Sequence, residues 1–136
     1  MPGDPDGRAE RASWLHIALT PGIGPVTAAR LLAALGLPED ILGTSHAGLA
    51  ALIGPAAAAS LLHDDPIRTA AIRASLAWSE QPHCHLLTLA HPAYPARLLQ
   101  SADPPPVLWA QGRIELLAGA ALAMVGSRSA TRGGIE

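Results

Sequence analysis

The stretch that decides the fold of the second half of this chain is Met124-Val125-Gly126-Ser127-Arg128-Ser129-Ala130-Thr131. It ends a run of small apolar residues that starts at residue 118. An apolar run that ends in a glycine turn is how the first strand of a doubly wound α/β domain delivers a phosphate-binding loop. We therefore predict a buried parallel strand at residues 122–125, followed by a site for a phosphate-bearing ligand. Because the chain stops where the next helix should begin, we expect it to be an N-terminal fragment.

The residue types in this turn suit the binding of an anion. Gly126 lets the backbone approach a ligand closely, and Arg128 offers a bidentate guanidinium. Ser127 and Thr131 add hydroxyl donors. The turn contains neither the dinucleotide fingerprint nor the P-loop pattern. The residue types alone leave two interpretations open: a phosphate site, or a plain strand-to-helix turn that carries an exposed arginine.

Composition restricts the classes of function. The chain has 136 residues, 49% of them hydrophobic, and a net charge of −2. All nine of its basic residues are arginines. No global field attracts polyanions, so any nucleic-acid site must be local. A single cysteine, Cys84, and a polar N-terminus predict a cytoplasmic protein without a signal peptide. The longest apolar run is too short to span a bilayer, and we expect no contact with a membrane.

The chain divides near residue 80. Residues 1–10 are rich in Pro, Gly and Asp and are predicted to be a disordered tail. Residues 11–80 predict five or six short helices, and residues 81–136 predict strands at 85–89 and 107–110. The predicted fold class is α+β: an all-α domain at 11–80, then the truncated start of a Rossmann-like domain at 81–136.

Local signals place several helix ends. Gly36 is predicted to close one helix, whereas Ser45 and Asp65 are predicted to cap the starts of two others. The helix after Asp65 is predicted to bury an apolar stripe. That stripe consists of Ile67, Ala70, Ala71, Ala74 and Trp78.

Four sequence blocks, in order and at the right spacing, resemble those of the DNA-processing protein A family (DprA, also called Smf). Together they extend over nearly the whole chain after residue 10. The blocks are Leu19-Thr20-Pro21-Gly22-Ile23-Gly24, Tyr94-Pro95-Ala96-Arg97-Leu98, Asp103-Pro104-Pro105-Pro106-Val107-Leu108-Trp109-Ala110-Gln111-Gly112 and Met124-Val125-Gly126-Ser127-Arg128-Ser129-Ala130-Thr131.

The resemblance implies a non-enzymatic protein with a helical domain and a Rossmann-like domain that binds single-stranded DNA. Members of the family protect incoming single strands during natural transformation and help to load the RecA recombinase. A homodimer is expected only of the full-length protein. Carried over to this sequence, Gly126, Ser127 and Arg128 would contact phosphate, and Thr131 would support the loop. The resemblance implies neither a cofactor nor a metal.

The turn Pro21-Gly22-Ile23-Gly24 also resembles a helix-hairpin-helix element, so the helical domain is predicted to be SAM-like or helix-hairpin-helix-like. Such hairpins bind DNA phosphates through backbone N–H groups. Here Pro25, and Pro55 in the second hairpin around Gly54, each remove a donor, and Arg30 is the only basic residue nearby. These features favour the interpretation that the hairpins only connect helices and do not bind DNA, because phosphate binding normally involves several basic side chains.

Other chemistries receive less support. His83-Cys84-His85 suggests a metal site, but a zinc site needs three or four convergent ligands and the sequence offers no others nearby. Ser127 lacks the nucleophile-elbow pattern and a base. The alternative function is a nucleotide-processing enzyme, such as a phosphoribohydrolase, on a related Rossmann-like fold. Its acidic catalytic residues would have to come from strands that this chain does not contain.

Overall fold

The computed structural model describes residues 5–126 and residue 128, which form helices followed by a two-stranded antiparallel sheet. This confirms the α+β class. The helices are α1 (Pro5–Ala18), α2 (Pro25–Leu35), α3 (Pro38–Leu42), α4 (His46–Ile53), α5 (Pro55–Leu62), α6 (Pro66–Ser79) and α7 (Ala96–Leu99). The strands are β1 (Cys84–Thr88) and β2 (Val107–Gln111), and a short 3₁₀ helix follows at Ile114–Ala118.

Local signals start and stop the helices as predicted. Ser45 Oγ accepts a hydrogen bond from the Gly48 amide at 3.2 Å, which caps α4. The Asp65 carboxylate accepts one from the Ile67 amide at 2.9 Å, which caps α6. Five of the described helices begin with proline, which loses nothing there because the first amides of a helix have no intrahelical partner. Gly36 closes α2 in a backbone conformation with φ of 96°.

The helical part of the chain differs from the sequence predictions in three places. Residues 5–10 belong to α1 and not to a disordered tail, and Arg8 of this segment forms an ion pair with Glu80. Residues 1–4 lie outside the described part. Helix α3, whose five residues are too few to show a periodicity, was not predicted. In α6 the predicted stripe is correct only in part: Trp78 packs against the core, but Ile67 is 82% exposed, and the buried residues of the helix are Arg68 and Leu76.

The predicted buried strand at residues 122–125 is also wrong. This segment has no regular secondary structure, and Leu122, Met124 and Val125 are 88%, 90% and 97% exposed. A strand needs a neighbour for its backbone N–H and C=O groups. Among the described residues the sheet contains β1 and β2 alone, so residues 122–125 have no strand to pair with.

A first core cluster holds the helices together. Its buried members are Ile17, Ile23, Ala28, Leu31, Ile41, Leu49, Ala58 and Leu61. Two polar side chains bind the C-terminal end of α5 beside this cluster. His16 Nε2–H donates to the Leu61 carbonyl at 2.8 Å, and Arg68 donates to the carbonyls of Ser60, at 3.0 Å, and His63. Burial lowers the pKa of His16, which favours the neutral ring.

A second core cluster joins the sheet to the helices. It contains Trp14 and Leu15 of α1, Leu76 of α6, Leu86 of β1 and Val107 of β2. In the antiparallel register Leu86 lies opposite Trp109, and Thr88 lies opposite Val107. The two-stranded sheet therefore shares its core with α1 and α6. The domain division near residue 80 stays a prediction, as do the SAM-like and Rossmann-like assignments.

No helix in the described part of the chain is both long and apolar enough to cross a membrane.

Candidate nucleic-acid interface

The predicted loop lies at the end of the described chain. Gly126 and Arg128 are both exposed, and a Cβ atom added at Gly126 would meet nothing within 4 Å. Ser127 and Thr131 lie outside the described residues. The structure thus places two of the four predicted residues, in an open segment that gives the backbone room to approach a ligand.

The exposed arginines in the second half of the chain differ in whether a carboxylate pairs with them. Arg113 donates to the Glu115 carboxylate at 2.8 Å, and this hydrogen bond lowers the pKa of Glu115. Arg97 and Arg128 are exposed, and neither forms an ion pair with any carboxylate of the described residues. These two guanidinium groups are therefore available to an external anion.

Two of the quoted sequence blocks contact each other directly. Tyr94 is buried, and its Oη donates to the Pro105 carbonyl at 2.7 Å. One residue further along, the Pro106 carbonyl accepts from the Leu89 amide at 3.2 Å. Burial raises the pKa of Tyr94, so the phenol stays protonated and remains a donor at neutral pH. The Tyr-Pro block therefore positions the Pro-rich segment that leads into β2.

A cleft of about 310 Å³ lies between the Tyr-Pro block and the 3₁₀ helix at Ile114–Ala118. Tyr94, Pro95 and Arg97 line one side, and Glu115 and Leu117 line the other. The sequence marked the Tyr-Pro block only by resemblance; no local pattern in it predicted a cleft here.

Removal of the tyrosine hydroxyl tests the contact between the two blocks. We expect Tyr94→Phe to lower the free energy of unfolding by about 1 to 2 kcal/mol, because the half-buried Pro105 carbonyl loses its donor. Urea denaturation provides the measurement. The matched control is Ser101→Ala, which removes an exposed hydroxyl that donates to the Leu98 carbonyl. Equal losses for the two variants would contradict a structural role of the tyrosine hydroxyl.

The histidine and cysteine triplet does not form the arrangement that a strand would give it. Strand β1 begins at Cys84, and His83 precedes it with a φ of 61°. His83 and His85 therefore do not share one face of a strand. Within residues 5–126 and at residue 128, no group of three or more His, Cys, Asp or Glu side chains could hold a metal ion.

The glycine hairpin after α1 is joined to α5 and α6. Ser60 Oγ donates to the Pro21 carbonyl at 2.9 Å, and Arg68 donates to Thr20 Oγ1 at 3.2 Å. Gly22 and Gly54 adopt φ values of 86° and 88°, which favour glycine at both turns. These contacts support the interpretation of the hairpins as helix connectors.

Comparisons with known proteins add to this geometry. Residues 85–136 match the family described as DNA recombination-mediator protein A. The chain is also 41% identical over 58 residues to Protein Smf of Escherichia coli (strain K12); the alignment covers 43% of this chain and 16% of that protein. No solved structure matches this chain.

Proposed function

Because residues 85–136 carry the sequence of the DNA recombination-mediator protein A family, we propose that this chain binds single-stranded DNA as part of a recombination mediator. The family match is the observation that carries the proposal. The exposed guanidinium of Arg128 supports it, since such a group suits a phosphate oxygen and no carboxylate among the described side chains pairs with it.

In this proposal the loop at residues 126–131 binds the phosphate backbone and makes no sequence-specific contacts with the bases. Gly126 lets the backbone come close to the strand, Arg128 forms charge-assisted hydrogen bonds, and the hydroxyls of Ser127 and Thr131 add donors. The net charge of −2 gives the chain no general attraction for DNA, so affinity depends on this local contact.

The wider role is proposed from the same family match. The protein acts as a mediator and not as an enzyme: it protects single strands during natural transformation and helps to load RecA. Dimerisation and the RecA contact belong to the full-length protein. Residues 11–80 form a SAM-like or helix-hairpin-helix-like domain, and residues 81–136 begin a Rossmann-like domain.

Fluorescence anisotropy with a labelled oligothymidine tests the role of the loop. We expect the wild-type chain to bind weakly at low salt, and Arg128→Ala to weaken binding by about fivefold or more. The slope of log affinity against log salt should also fall by about 0.7, the value for one lost contact with a single-strand phosphate. Arg73→Ala is the control, because it removes an exposed arginine of α6 outside the loop.

Two outcomes would overturn the proposal. The first is the absence of binding by the wild-type chain at low salt. The second is an unchanged affinity and salt slope in Arg128→Ala. Release of free base from a nucleoside monophosphate would instead support the phosphoribohydrolase alternative.

A further inference from the structure

A second cleft of about 310 Å³ lies where the start of α1, the end of α6 and strand β1 meet. It is separate from the loop and from the cleft beside Tyr94. Three basic side chains line it: Arg11 of α1, His85 of β1 and His91 of the turn after β1. They come from three separate segments, and only the tertiary fold brings them together.

The guanidinium of Arg11 is positioned but not neutralised. Its Nε donates to the Gly7 carbonyl at 3.1 Å, which fixes the side chain along its own helix. This leaves the terminal Nη groups, and no carboxylate among residues 7–126 forms an ion pair with them. Two donors in a planar fork suit a tetrahedral oxyanion.

The tautomer of the neutral His91 ring is defined by a hydrogen bond to its Nδ1 atom. Its Nδ1 accepts from the Ala93 amide at 3.0 Å, so the proton of the neutral ring lies on Nε2. Burial, followed by the nearby His85 and Arg11, lowers the pKa of His91. The three basic groups are thus close enough to repel one another, and a bound anion would relieve that repulsion.

The remaining groups around the cleft set its charge. Glu10, Ser79 and the buried Cys84 also line it, and the carboxylate of Glu10 offsets part of the charge of Arg11. Glu80, next to Ser79, is paired with Arg8. Glu115 lies near enough to His85 and to His83 for its charge to interact with both imidazoles. The cleft becomes more positive when its imidazoles take up protons, so its attraction for an anion should increase as the pH falls.

We propose that this cleft binds a phosphate group through Arg11, His85 and His91, and that it binds more tightly in mildly acidic solution. The phosphate is either a free phosphomonoester or part of a DNA backbone. The site does not depend on the loop at Arg128, so it stands whether or not that loop binds DNA.

Histidine NMR resonances of the whole chain provide the test, with sulfate as a tetrahedral oxyanion that does not titrate in this range. We expect sulfate to raise the pKa values of His85 and His91 and to leave the exposed His46 unchanged. Affinity should be about threefold or more higher at pH 6 than at pH 8. Thymidine monophosphate and an oligothymidine without terminal phosphate then distinguish a monoester from a backbone phosphodiester.

Variants with opposite effects strengthen the test. Arg11→Gln should weaken sulfate binding by about fivefold or more, whereas Glu10→Gln should strengthen it by about twofold or more. Arg73→Gln, at an exposed position of α6 outside the cleft, should leave it unchanged. Glu10 is exposed, so its variant keeps the test valid even if Arg11→Gln disturbs α1. Equal shifts at His46, or no response to Glu10→Gln and Arg11→Gln, would overturn the proposal.

Discussion

Replacement of Arg68 by alanine is expected to lower the free energy of unfolding by about 3 kcal/mol. The side chain is 4% exposed and donates to Thr20 Oγ1 and to the carbonyls of Ser60 and His63. The two carbonyls lie at the C-terminal end of α5, where the helix leaves acceptors unpaired and the helix dipole is negative. The alanine variant would leave all three acceptors without this donor.

A series at this position separates packing from hydrogen bonding. Arg68→Met keeps most of the side-chain volume but no donor, so it should recover only part of the loss. Arg68→Lys keeps the charge but cannot reproduce the planar fork, and should fall between wild type and methionine. Arg73→Ala, at an exposed position of the same helix, should stay within about 0.5 kcal/mol of wild type. Urea denaturation followed by far-UV circular dichroism measures all four variants.

If Arg68→Ala lost no more stability than Arg73→Ala, the three hydrogen bonds would not stabilise the fold. A methionine variant as stable as wild type would show that Arg68 acts through its aliphatic stem alone. Either result would show that the hydrogen bonds of Arg68 do not contribute to the attachment of α1 and the turn after it to α5 and α6.

Arg68 also shows where sequence reasoning stops. The caps of α4 and α6 were predictable because Ser45 and Asp65 act on amides two or three residues away. The buried face of α6 was not predictable, because Arg68 is buried by its hydrogen bonds to carbonyls at the end of α5, which is a separate element. Apolar periodicity pointed to Ile67, which is 82% exposed, and away from its neighbour Arg68. A charged residue that caps another helix leaves no local pattern.

In the candidate site, too, some features were predictable from the sequence and others were not. The exposed Arg128 was predictable from residue types beside a glycine. The Tyr94–Pro105 hydrogen bond was not, since it depends on how the segment between β1 and β2 folds back. The strand predicted at residues 122–125 was wrong because an apolar run specifies burial but cannot supply the neighbouring strand.

Replacement of Leu86 by alanine is expected to lower the free energy of unfolding by about 3 kcal/mol, the usual cost of a cavity at a fully packed leucine. Leu86 is 4% exposed and packs in the second core cluster with Trp14, Leu76 and Val107. Because that cluster joins α1 and α6 to both strands, we expect the helices and the two-stranded sheet to unfold together. The exposed Leu99→Ala is the control and should cost less than about 0.5 kcal/mol.

The tryptophans make this coupling measurable. Trp14 is part of the second cluster, Trp78 packs against it, and Trp109 Nε1 donates to Ser75 Oγ at 3.2 Å. Intrinsic fluorescence therefore reports on the second core cluster, where the strands contact α1 and α6, whereas far-UV circular dichroism reports mainly on the helices. Leu86→Ala should shift both transitions to the same lower urea concentration. If only the fluorescence transition moved, residues 11–80 would fold independently of the strands, and the shared core would contribute no cooperativity across residue 80.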